Sequence, residues 1–156
     1  MLTAPPANCT AAVDLIFVLD ASGSIESSGF EQMKSFVSEL VNKFDVENGH
    51  VRVGLLTYST TVQVTFNLNM YTSRADIRAA ISRLTYVAGR TNTGDALAHA
   101  RTVMLQPAAG DRPHVPNVIV VLTDGGSNDK LATQVGYFTH HCQRYRHSHL
   151  SYHFHV

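Results

Sequence analysis

The stretch "VDLIFVLDASGSI", Val13 to Ile25, decides the fold. Leu15 to Leu19 form an unbroken apolar run between Asp14 and Asp20. A short run that is apolar on both faces is the pattern of a central parallel strand covered by helices on each side. It ends in an aspartate and then in small hydroxylated residues, Ser22-Gly23-Ser24. A core strand that stops in this way sets a carboxylate and two hydroxyls on one tight loop.

Working outward, "SSGFEQMKSFVSELVNKF" (27–44) predicts an amphipathic helix. Phe30, Met33, Phe36, Val37, Leu40, Val41 and Phe44 fall at helical spacing, with a Ser28/Glu31 capping box at its start. "HVRVGLLTYS" (50–59) and "TVQVTFNL" (61–68) read as two strands joined by a link too short for anything but a hairpin. A second helix is predicted over 73–84 with a Ser73/Asp76 capping box. A third is predicted over 92–105, with Ala96, Leu97, Ala100, Val103 and Met104 on one side. After the loop 110–116, "NVIVVLTDGGSND" (117–129) is a second buried strand that ends in an aspartate, Asp124. The order β-α-β-β-α-α-β predicts an α/β fold: a Rossmann-like open sheet, mostly parallel with one antiparallel strand, and helices on both faces. In such sheets ligands bind beyond the carboxyl ends of the strands, where Asp20 and Asp124 lie.

Bulk properties narrow the function. The chain has 156 residues, 44% of them hydrophobic, enough for one domain with a substantial core. Twelve basic residues balance twelve acidic ones, so no clustered charge is available to hold nucleic acid. No apolar run is long enough to span a bilayer. "MLTAPPANCT" lacks the basic and apolar regions of a signal peptide. Cys9 and Cys142 alone do not define a disulfide framework. From Gly136 the composition changes: "GYFTHHCQRYRHSHLSYHFHV" carries six of the nine histidines in no helical or apolar pattern. The expected organisation is an N-terminal extension at 1–10, a domain over 11–135, and a His-rich tail over 136–156 outside that fold. The histidine spacings in the tail match no zinc site.

Asp20, Ser22, Ser24 and Asp124 offer only hard oxygens. That set suits Mg²⁺ or a similar ion such as Mn²⁺ or Ca²⁺, and not zinc or copper. Two carboxylates balance a divalent charge. The hydroxyls add ligands without charge, so the ion can still accept an outside carboxylate. An aspartate nucleophile for phosphoryl transfer would need a second acid two residues on, and Ser22 stands there, so an enzyme is not expected.

"DASGS" (20–24), "GRTNTGDAL" (89–97) and "VVLTDGGSND" (120–129), each at the end of a predicted element, resemble the motifs of von Willebrand factor type A domains, in particular the type A modules of collagens and matrilins. The resemblance covers about residues 9 to 135. It implies a metal-ion-dependent adhesion site made by Asp20, Ser22, Ser24, Thr91 and Asp124, with Gly23, Arg90, Asn92 and Gly125 on the rim that meets a partner. It implies binding of a protein partner through one of its acidic residues, outside the cell, with Cys9 at the base of the domain where the family often has a disulfide. A Cys9–Cys142 pair is one option. Thr93 competes with Thr91 for the ligand role, and Thr91 could instead cap the third helix. An intracellular scaffold of the same family, or a shortened product without activity of its own, are the alternatives. The family's later strands and last helix have no counterpart after Gly136, so an incomplete fold is expected.

Overall fold

The computed structural model describes residues 12–124 and the backbone of 150–154. Its centre is β1 (Val13–Asp20), seven of whose eight residues are buried. β1 pairs in parallel with β2 (Val51–Tyr58) on one side and with β4 (Asn117–Leu122) on the other. β3 (Val62–Phe66) returns antiparallel along β2, with a bulge between Leu55 and Leu56. The hairpin follows from the three-residue link, in which the Ser59 amide donates to the Thr61 carbonyl. The sheet order is β3-β2-β1-β4-β5.

β5 (Leu150–Phe154) lies within 136–156, the stretch expected to fall outside the fold. Its backbone pairs in parallel with β4, from Val118 opposite Leu150 to Leu122 opposite Phe154. The signal was present: Leu150, Tyr152 and Phe154 alternate with Ser151 and His153, a period-two pattern of strand formers. The density of histidines around it hid the alternation. Cys9, Cys142, Gly125 and the other tail histidines lie outside the described residues.

The double-sided apolar strand makes two cores. Leu15, Phe17 and Leu19 meet α1 (Glu26–Val41) and α2 (Arg74–Ser82) on one face. Ile16 and Val18 meet α3 (Thr93–His99) and the turn after it on the other. Helices thus cover both faces, as the strand pattern requires. Full burial of side chains such as Phe17, Phe30, Ile77 and Leu56 is worth about 1.5–3 kcal/mol each.

Local starts and stops differ from expectation in instructive ways. The Ser28/Glu31 capping box does not form. α1 begins at Glu26 after Ile25, which caps without a side-chain bond, because buried Ile25 anchors the chain to the core three residues earlier. Ser28 is therefore already inside the helix. α1 ends at Val41, and Phe36 lies on its exposed side. The Ser73/Asp76 pair does form: the Ser73 hydroxyl accepts from the Asp76 amide at 3.1 Å and donates to its carboxylate at 2.7 Å. The third helix is not regular over 92–105. α3 passes into a π-helical segment, Ala100–Met104. The wider turn keeps Ala100 and Met104 buried but rotates Val103 into solvent.

Candidate metal centre

The candidate centre sits at the carboxyl end of β1. Asp20 is fully buried and accepts three hydrogen bonds. Oδ1 accepts from the Ser22 amide at 2.9 Å, which closes the loop on itself. Oδ2 accepts from the Thr123 hydroxyl at 2.8 Å and from the Tyr58 hydroxyl at 3.3 Å. All three donors are neutral. Among the described residues no cationic side chain pairs with Asp20. Tyr58 is opposite Asp20 in the parallel ladder, so its ring falls on the same face. Burial first, and then the Asp20 charge, push its phenol well above the ordinary tyrosine range, so it stays a donor.

Ser22 is fully buried and its Oγ lies 3.1 Å from that of Ser24, which is exposed. Thr91 is buried. It does not cap α3, because Asn92 holds the capping position. The Thr93 hydroxyl is engaged elsewhere, 3.2 Å from that of Tyr58. Asp124 is half-buried and directly follows Thr123, whose hydroxyl holds Asp20.

Backbone contacts hold the loops together. The Gly23 amide donates to the Gly89 carbonyl at 3.0 Å, which ties the first loop to the segment leading to Thr91. Gly89 has φ +110°, and a Cβ there would stand 2.7 Å from Thr60 Oγ1. Only glycine fits such a position without a shift. The Arg90 amide donates to Thr60 Oγ1, and Asn92 Nδ2 donates to the Thr60 carbonyl. The Tyr86 hydroxyl reaches the Gly23 carbonyl at 3.4 Å. Gly23 and Arg90 are exposed and Asn92 is half-buried.

The donor set fits a hard divalent cation: two carboxylates, one of them buried with no counter-charge among the described residues, and hydroxyls on the same loop. No group of three or more His, Cys, Asp or Glu side chains converges among the described residues. Sequence reasoning missed Tyr58 and Thr123 as partners of Asp20. Their positions at the ends of the two strands flanking β1 were the available signal.

This sheet, with a hydroxyl-rich loop at the tip of its central strand, is the architecture of a type A adhesion-like module. The chain belongs to the von Willebrand factor type A domain family, whose model matches residues 14–147, past the boundary expected at 135. It is 40% identical over 120 residues to the human collagen alpha-1(XX) chain, covering 77% of this chain and 9% of that one. It is 37% identical over 120 residues to chicken matrilin-1, covering 77% of this chain and 24% of that one. The chain therefore spans a quarter or less of these two relatives. Among solved structures it resembles proximal thread matrix protein 1 of the mussel byssus, with a TM-score of 0.71 and 30% identity over 78% of this chain and 33% of that one. A second structure of that protein, with a zinc-occupied metal-ion-dependent adhesion motif, matches with a TM-score of 0.66 and 32% identity over 76% of this chain and 30% of that one. No helix among the described residues is long and apolar enough to cross a membrane.

Proposed function

We propose that the chain is a metal-dependent protein-binding module that acts outside the cell, and not an enzyme. The observation that carries this reading is the state of Asp20: a fully buried carboxylate with only neutral donors among the described residues, on the same loop as a pair of serine hydroxyls. A buried charge without a counter-charge is costly unless the site exists to receive one. Ser22, Ser24 and Thr91 would offer hydroxyl oxygens, and Asp20 and Asp124 would supply the balancing charge. A bound divalent ion would supply Lewis acidity toward a carboxylate from a partner. The chain's own residues set the rest. β1 holds Asp20 rigid, the Gly23–Gly89 contact fixes the spacing of two loops, and Gly23, Arg90 and Asn92 would form the rim the partner meets.

The kinship with collagen and matrilin chains supports an extracellular matrix or cell-surface partner that presents an acidic residue. The oxygen set favours Mg²⁺, Mn²⁺ or Ca²⁺. The zinc reported in the mussel relative makes zinc a competitor to be tested beside them. The test is thermal unfolding of the chain in Mg²⁺, Mn²⁺, Ca²⁺ or Zn²⁺ against EDTA, with Asp20→Ala as control. A cation-dependent rise in melting temperature confined to the parent chain is expected. A cooperative transition indifferent to every ion would overturn the reading.

A further inference from the structure

We infer that Tyr58 is a positioning residue of the cation site, the middle member of a directed chain of hydroxyls running from Thr93 through Tyr58 to Asp20. The inference rests on the cation-site reading above and adds to it two residues outside the five expected ligands.

The direction follows from counting protons. A carboxylate accepts only, so the Tyr58 hydroxyl must donate its one proton to Asp20 Oδ2 across 3.3 Å. Its other contact, Thr93 Oγ1 at 3.2 Å, must then donate to Tyr58. Thr93 is the first residue of α3, two positions after Thr91. The chain of bonds therefore links the first turn of α3 to the carboxylate at the tip of β1. All three groups are buried, Tyr58 at 1% exposure, so water does not compete for the hydrogen bonds.

Tyr58 also grips the first loop from its backbone. Its carbonyl accepts from the Ala21 amide at 2.7 Å, one residue past Asp20. The same residue thus holds the loop at its main chain and the carboxylate at its side chain. Thr123, the residue after β4, supplies the other Oδ2 hydrogen bond, so Asp20 is braced from the ends of both neighbouring strands. Outer partners of this kind orient the groups that face a metal, and their loss commonly lowers metal affinity about 10- to 100-fold.

The test measures Mn²⁺ affinity of the full 156-residue chain by calorimetry, with melting temperature in EDTA as the check on folding. Tyr58→Phe and Thr93→Val should each weaken Mn²⁺ binding about ten-fold or more, with the EDTA melting temperature moving far less. Thr93→Ser, which keeps the hydroxyl, should bind like the parent. Because Thr93 acts through Tyr58, adding Thr93→Val to Tyr58→Phe should cost nothing further. Parent-like affinity in both single variants would overturn the positioning role and leave the cation site standing. Multiplying losses in the double variant would overturn the directed chain. If Tyr58→Phe fails to fold, Thr93→Val against Thr93→Ser decides alone: a loss confined to valine supports the role, and equal affinity overturns it. Absence of Mn²⁺ binding by the parent would overturn both this inference and the reading it rests on.

Discussion

Asp14 and Asp20 stand at opposite ends of β1, on the same face and both fully buried, yet among the described residues only Asp14 is matched by a cation. Arg112 reaches Asp14 Oδ1 through Nη2 at 2.7 Å and through Nε at 2.8 Å. The Arg112 amide donates to Oδ2 at 2.7 Å. The same guanidinium satisfies the carbonyls of Val13, Gly49 and His50. At the other end Asp20 has hydroxyls and an amide. Among the described residues, one strand therefore carries an ionic clamp at the base and a carboxylate held by neutral donors at the tip.

The clamp gives the first prediction. Arg112→Ala strands a buried carboxylate and removes donors from three carbonyls. We expect a loss of about 3–5 kcal/mol, read as a shift of the urea midpoint. An unchanged midpoint would show that Asp14 finds other compensation.

At the tip the opposite is expected. Asp20→Asn keeps the shape and removes the charge, so stability in EDTA should hold or rise. The stabilisation by cation should vanish; in the parent it reaches about 2.7 kcal/mol when the ion is at a hundred times its dissociation constant. Differential scanning calorimetry with and without Mg²⁺ reads both effects. A retained Mg²⁺ response would remove Asp20 from the site.

Gly89 tests the coupling of the loops. Gly89→Ala forces a side chain into a φ of +110° and against Thr60 Oγ1, a strain of about 1–3 kcal/mol. The Gly89 carbonyl would move and release the Gly23 amide. Lower thermal stability should come with weaker cation binding. Loss of stability alone would mean that the loops are not coupled.

The acid limb of stability should depend on the base of the domain. His50 Nδ1 lies 2.6 Å from Asp45, and this bond first, then those from Asn48, hold the Asp45 carboxyl below its usual value. Glu47 is lowered mainly by the backbone amide and then the side chain of Arg74. Both folded values lie below the unfolded ones. Their contribution is therefore present above the ordinary carboxylate range, near pH 4, and is lost as pH falls through the lower folded values. Asp45→Asn with Glu47→Gln should flatten the fall of melting temperature below about pH 4. Because both groups are exposed, the effect should also shrink in high salt. An acid limb identical to the parent's would show that other carboxylates control it.

Much of this was legible in the chain itself. Leu15 to Leu19 could only be a two-sided central strand. The three residues after Tyr58 forced the hairpin. Asp20, Ser22 and Ser24 declared an oxygen-rich tip because polar residues at that density have no place in a core. Tertiary contacts decided the rest. Ile25 started α1 early because its burial outweighed the Ser28/Glu31 cap. The π-helical turn moved Val103 outward. β4 recruited 150–154 because an exposed ladder of amides and carbonyls accepts any strand of the right alternation. That the Thr93 hydroxyl is engaged also depended on where Tyr58 lay. The sequence by itself determined the strand, its two cores and the chemistry of its tip, because these rest on local spacing and residue type. Only the tertiary structure decided which polar groups are engaged and which remain open, because hydrogen-bond partners come from residues distant in the chain.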